Sequence, residues 1–216
     1  MNTSIIQILV LAGIAVFLIL KLRAVLGTRE GYEPSTRPSD DLRPRQKFDV
    51  VEGGPDRDIS DNTTDPASTA ALSAMKAADP SFNVGDFLKG ARSAYEMILM
   101  AFDKGDLDKI RPFLGPDVAA TFTASVADRT QHGLTITSTF AGIRELTLTD
   151  ASFNPATKQA QIDVRFGAEL TRVVRDANGV VVEGKPNTIV KQRDTWTFSR
   201  IMGTTDPNWQ LTATGD

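Results

Sequence analysis

The chain has 216 residues, a formal net charge of −3, no cysteine and one histidine, His132. Disulfides and thiolate metal sites are excluded, as are metal centres built on several histidines. The slight acidity argues against nucleic acid as the main partner, and no residue pattern asks for a cofactor.

An apolar run from Ile5 to Leu20 opens the chain, interrupted by Gln7 and closed by Lys21 and Arg23. With its flanks it meets the roughly 20 residues that a spanning helix needs. Ile5, Ile8, Leu11, Phe17 and Leu20 supply the apolar surface, and Lys21 and Arg23 can snorkel at the interface. A cleaved signal peptide carries its positive charge ahead of the apolar run, whereas here the basic residues follow it. Residues 1–26 are therefore expected to be a retained single-pass anchor. The positive-inside rule sets the N-terminus outside and the C-terminal part in the cytoplasm.

Residues 27–81 read as a flexible linker, with Pro34, Pro38, Pro44, Pro55 and Pro66 spaced through it and little apolar surface to offset ordering. One alanine-rich island, 67–78, offers only Leu72 and Met75 as larger apolar residues and is expected to form at most a short helix.

The character changes at Phe82, where a domain spanning 82–216 is expected to begin. Asn83 followed by Asp86 resembles a capping box. Phe87, Leu88, Ala91, Ala94, Tyr95, Ile98, Leu99 and Phe102 then recur at helical spacing, until Lys104-Gly105 stops the helix. Asp106 is expected to cap a short second helix bearing Leu107 and Ile110 and ending at Pro112. Gly115-Pro116 starts a third, with Val118, Ala119, Phe122 and Val126 inward.

From Leu134 the period becomes two. Ile143, Leu146, Leu148 and Phe153 read as one strand with a bulge where the parity slips. Ala160, Ile162, Val164, Phe166, Ala168 and Leu170 form the apolar face of the next strand. Asn178-Gly179 signals a two-residue hairpin. The returning strand runs through Val180–Val182, Ile189-Val190 and Thr195–Phe198, broken at Gly184-Lys185-Pro186, and a last one covers Trp209–Thr214. Helices followed by antiparallel strands give an α+β order, with a curved sheet wrapped around the Phe87–Phe102 helix.

The stretch Arg172–Gly184, the run Asp194-Thr195-Trp196-Thr197-Phe198-Ser199-Arg200 and the segment Asp206-Pro207-Asn208-Trp209-Gln210-Leu211 carry a family resemblance. Together with Arg129, Gly133 and the helix from Phe87 to Asp106, they are similar to the C-terminal domain of mitochondrial inner-membrane import translocase subunit 44. The short membrane-anchored bacterial members of that family (TimA-type proteins) share the anchor-then-linker layout. The resemblance implies a nuclear-transport-factor-2-like cone with an apolar cavity, placed at the bacterial inner membrane. It also implies a non-enzymatic membrane adaptor in protein transport or membrane-protein assembly. Partners would be the membrane and a protein.

Cone folds also host enzymes and small-molecule binders, so fold alone does not fix activity. Tyr95, Ile98, Phe102, Phe122, Phe166, Trp196 and Trp209 are candidate cavity-lining residues, with Asp194 as the polar group best placed to enter the cavity. Arg165, Arg172, Arg175, Lys191 and Arg193 are a candidate basic face for anionic lipid, each charge adding on the order of 1 kcal/mol near a membrane surface. Docking to lipid or to a ribosome is the other alternative.

Overall fold

The computed structural model describes Gly54 and residues 56–215; the expected anchor and most of the expected linker lie outside them. Among the described residues no helix is long and apolar enough to cross a membrane. Four helices precede four strands: α1 (Arg57–Ser60), α2 (Pro66–Ala78), α3 (Val84–Lys104) and α4 (Pro116–Gln131), then β1 (Thr135–Asn154), β2 (Gln159–Arg175), β3 (Val181–Ile201) and β4 (Gln210–Gly215). The strands form one antiparallel sheet in the order β1-β2-β3-β4. The α+β order read from the sequence is the order seen.

The long helix α3 forms where its apolar stripe ends in matching caps. The Asn83 side chain accepts the Asp86 N–H at 2.8 Å, and Gly105 closes the helix in the left-handed conformation with φ 77°. Its buried face is Phe87, Ala91, Tyr95, Ile98 and Leu99. That face lies on the sheet residues Ile162, Val164, Phe166, Trp196 and Phe198, each at most 4% exposed. The sheet curves because β1 slips register three times, at Phe140/Gly142, Ile143/Glu145 and Leu148/Asp150. Each slip adds local twist and bend.

The packed core begins ahead of Phe82. In α2, Leu72 and Met75 are fully buried, and Ile59 of α1 is 3% exposed within the same cluster. Alanine at most other α2 positions lets the helix approach β1 closely, so two large side chains suffice. Ser68 helps fix the contact, its hydroxyl accepting the Ala151 N–H at 3.2 Å.

Asp58 of α1 adds a cap that no local pattern announces. Its carboxylate accepts the Val84 and Gly85 N–H groups at 2.8 and 2.9 Å, the first free donors of α3. Lys76 of α2 meets the same carboxylate at 2.7 Å.

Two local expectations change. The segment after Asp106 forms a 3₁₀ turn at Arg111–Phe113 instead of an α-helix starting at Asp106, because Pro112 leaves too short a run for one. At Asn178-Gly179 only Gly179 has positive φ, so the type I′ two-residue hairpin, which needs it at both positions, does not form. The loop instead runs from Asp176 to Val180, with the Asp176 carboxylate accepting the Asn178 and Val180 N–H groups at 2.9 Å each.

In β3 the register jumps from Ile189, opposite Thr171, to Gly184, opposite Val173, so Lys185–Thr188 bulge outward. Gly184 has φ 81°, and a Cβ there would sit 2.2 Å from the Arg172 carbonyl oxygen. Gly184→Ala is expected to lower the unfolding free energy by about 2–3 kcal/mol in urea titrations. An unchanged midpoint would show that the bulge relaxes freely.

Burial pushes the Asp58 carboxyl up, but hydrogen bonds from Lys76, Gly85 and Val84 more than reverse this, so it titrates below the ordinary range. Its stabilising contribution is then complete above about pH 4 and fades as pH falls through the lowered value. Asp58→Ala is expected to cost about 1–2 kcal/mol at pH 7, with the gap to wild type narrowing toward pH 2 in thermal melts.

Candidate functional site

The centre of the expected cavity is filled. The Tyr95 ring stacks on Phe166 at 4.4 Å between centroids and 17° between planes, packs at 4.6 Å against Trp196, and lies 6.3 Å from Phe140. Its hydroxyl donates to the Asp194 carboxylate, which also accepts the Gln192 side-chain N–H at 2.9 Å. Tyr95 is fully buried and Ile98 is 1% exposed. Phe102 and Phe122 pair with each other at 4.4 Å, away from this stack, with the Arg129 guanidinium 5.0 Å from the Phe102 ring centre.

Burial, then the hydrogen bond and charge of Asp194, push the Tyr95 hydroxyl well above the ordinary tyrosine range. A phenol held this way is a proton donor fixed to one acceptor. It is not poised to exchange protons near neutral pH, which general acid–base chemistry requires. Neither of the two main hollows among the described residues is lined by Tyr95, Asp194 or Trp196.

The more apolar of the two openings lies beside the stack, between the N-terminal half of α3, the end of β3 and the β3–β4 loop. It has a volume of about 470 Å³. Phe87, Phe198 and Trp209 form its floor, with Trp209 4.7 Å from Phe87 and 5.8 Å from Phe82. Gly90, Ala91 and Ala94 form the helix wall, where small side chains leave room, and Met97, 38% exposed, stands at the mouth. The sequence held a signal for this groove in the small residues at helical spacing ahead of Met97.

One rim of the groove is polar and held in place. Arg200 meets Asp79 at 2.9 Å, both side chains only 9% exposed, and its Nε donates to the Asp206 carbonyl at 3.1 Å. The Ser81 hydroxyl donates to Asp79 at 2.6 Å. That bond first, and the Ser81 and Gly203 amides with Arg200 after it, hold the Asp79 carboxyl below its usual range against burial. The groove thus offers apolar surface with one fixed charged edge, and its two serine hydroxyls, Ser81 and Ser93, donate to Asp79 and to the Lys89 carbonyl. Among the described residues no group of three His, Cys, Asp or Glu side chains is placed to hold a metal.

A second hollow, about 530 Å³, lies at the C-terminal ends of α3 and α4. Asp103, with its side chain 1% exposed, meets Arg172 there at 2.9 Å and accepts the Ser138 hydroxyl at 2.5 Å. The Arg129 guanidinium donates to the Phe102 carbonyl.

Of the expected basic face, the register places Arg165, Lys191 and Arg193 on one face of the sheet and Arg172 on the other. Arg165 pairs with Glu145 at 3.1 Å, Arg172 turns inward to Asp103, and Arg175 donates to the Gly179 carbonyl at 2.9 Å. Lys191 and Arg193 are exposed on β3. His132 closes α4, its Nδ1 2.9 Å from the Asp128 carbonyl oxygen.

In a Tyr32→Phe background, Tyr95 is expected to give no phenolate absorbance at pH 10–11 while the fold persists. Its raised value means that stability is complete below about pH 10 and is lost as pH rises further, when only the unfolded chain ionises. Tyr95→Phe should cost about 1–2 kcal/mol and remove that alkaline slope. A phenolate signal near pH 10 in the folded protein would contradict the stack.

The Tim44-like domain model matches residues 68–216. Mitochondrial import inner membrane translocase subunit TIM44-1 of Arabidopsis thaliana is 25% identical over 138 residues, which are 64% of this chain and 28% of that protein. The chain thus spans little more than a quarter of the curated relative that it matches. Among solved structures, the intermembrane space region of the chloroplast protein ARC6 aligns with a TM-score of 0.40 and 15% identity, over 59% of this chain and 94% of that one. That likeness is too loose to carry an argument. The family match, over most of the length and all of the sheet, is decisive: this chain belongs to the Tim44-like family.

Proposed function

We propose that the chain is a membrane-anchored, non-enzymatic adaptor in protein transport or membrane-protein assembly. In this reading residues 1–26 are a single-pass anchor in a bacterial inner membrane. The stretch that follows is the tether, and a cone of nuclear-transport-factor-2 type lies on the cytoplasmic side. The cone holds a protein partner near the bilayer, where confinement raises effective concentration and makes encounter nearly intramolecular.

The observation that carries the reading is where the apolar space lies. An enzyme on this kind of fold needs a reactive group in a closed cavity, but the interior is occupied by Tyr95, Phe166 and Trp196. The apolar space opens outward instead, over Phe87, Trp209 and Met97. A groove with a half-buried tryptophan, an exposed methionine and a fixed polar rim has the chemistry of a protein contact. Membership of the Tim44-like family and the match to an inner-membrane import translocase subunit support the same reading.

In intact membranes, a photo-crosslinking side chain at Met97 is expected to capture a membrane-associated protein. Ala94→Trp, which fills the groove, should reduce that capture at least several-fold while the melting temperature stays within a few degrees of wild type. Alkaline carbonate should leave the chain in the membrane pellet. Full release into the supernatant, or undiminished capture by the filled groove, would refute the adaptor role.

A further inference from the structure

Of the six exposed large apolar side chains among the described residues, five lie on β3 or one residue ahead of it: Val180, Val182, Ile189, Val190 and Ile201. They are spread along the strand, and past the bulge only Ile189 and Val190 are adjacent, one on each face. The same strand has an open side. One side of β3 pairs with β2 from Val181 to Ile201, whereas β4 borders the other only from Thr195 to Ser199. Among the described residues no strand pairs with that side between Val181 and Asp194. Alternate N–H and C=O groups along it therefore have no strand partner among the described residues.

Proteins commonly blunt such an edge with lysine, proline or a bulge. β3 has all three, in Lys191, Pro186 and the Lys185–Thr188 bulge. Blunting explains those features but not Ile189 and Val190, which follow the bulge at 58% and 42% exposure. Between the bulge and the start of β4 pairing, the strand is regular and in register with β2. Ile189, Lys191 and Arg193 face one way, opposite Thr171, Glu169 and Gly167; Val190 and Gln192 face the other. Glu169, the acid facing Lys191, is already engaged by Arg144 at 2.8 Å. Lys191 and Arg193 join no ion pair among the described residues.

We propose that the Ile189–Arg193 edge of β3 takes an extended, acidic segment of another polypeptide as an added strand. Its backbone pairs with the open donors and acceptors, its carboxylates meet Lys191 and Arg193, and its apolar side chains cover Ile189 and Val190. The proposal rests on the adaptor reading and names a chemistry for the partner. Charge selects the occupant. A second copy pairing antiparallel about Lys191 would set lysine against lysine, and like charges directly opposite are destabilising. An anionic bilayer would answer the two charges but would leave the row of backbone groups without partners. An acidic strand satisfies both.

The test uses the full chain in detergent with two labelled octapeptides, one alternating glutamate and valine, the other lysine and valine. The glutamate peptide is expected to bind on the order of tenfold more tightly and to slow amide hydrogen exchange at Ile189–Arg193. Lys191→Glu with Arg193→Glu, both at exposed positions, should reverse the preference at a cost of no more than a few degrees in melting temperature, since Glu169 lies opposite position 191. Equal binding of both peptides, protection elsewhere on the chain, or an unchanged preference in the double variant overturns the proposal. So does binding to phosphatidylglycerol but not phosphatidylcholine vesicles, lost in the variant, when neither peptide protects the edge; that outcome identifies a lipid surface. A concentration-dependent dimer that the variant abolishes identifies a second copy, and equally overturns it. Capture through Met97 keeps the two readings apart. If the double variant captures its membrane partner as wild type does while the peptides fail, the edge proposal falls and the adaptor stands. If wild type captures nothing while the glutamate peptide protects the edge, the adaptor reading falls alone.

Discussion

One side chain holds the long helix to three successive strands. The ring of Tyr95 reaches Phe140 of β1, Phe166 of β2 and Trp196 of β3, and its hydroxyl is bound to Asp194. A strand bulged as often as β1 leaves the curvature of its sheet open, and a contact spanning three strands closes that freedom. With the middle of α3 fixed there, the distance between its first half and the end of β3 follows. Gly90, Ala91 and Ala94 are too small to close that distance, and Trp209 fills only part of it. The filled interior and the open groove are thus two results of one anchoring contact.

Much of this was legible from spacing alone. The stripe from Phe87 to Phe102, the alternation from Ala160 to Leu170 and the parity slips of β1 are periodic signals, and periodicity reports which face is buried. Asp194 lies two residues from Trp196 on β3, but spacing could not show that Tyr95 would reach its carboxylate from a residue 99 positions away. What escaped were features without a period. The docking of α2 depends on small residues permitting close approach, which composition registers only as a shortage of apolar surface. The pairing of Arg172 with Asp103 turns a surface-strand arginine inward, because a buried carboxylate needs a counter-charge. The place of Arg172 continues the inward parity of Ala160–Leu170, which marks the face but not the partner.

Family membership and physical form address different questions. Membership comes from residues 68–216 and covers little more than a quarter of the plant import subunit. It says which lineage the domain shares, not which surfaces it uses. Those surfaces are read from chemistry: an aromatic groove beside α3, and a strand edge of β3 that carries two exposed cations and no strand partner among the described residues. Both leave the buried stack intact, so either can engage a neighbour while the core stays as it is.

Asp58 has a mechanical corollary. Its carboxylate grips the first turn of α3 while Lys76 grips it from α2, so three helices meet at one knot only two residues into the described helical region. Tension drawn along the chain ahead of Arg57 would load this knot before reaching the sheet. Two of its links run to backbone amides at the start of the longest helix, and force would be passed along the axis of α3 toward Tyr95. A domain strung on a leash would in that way be pulled by its most rigid strut, with the aromatic stack as the last element to yield.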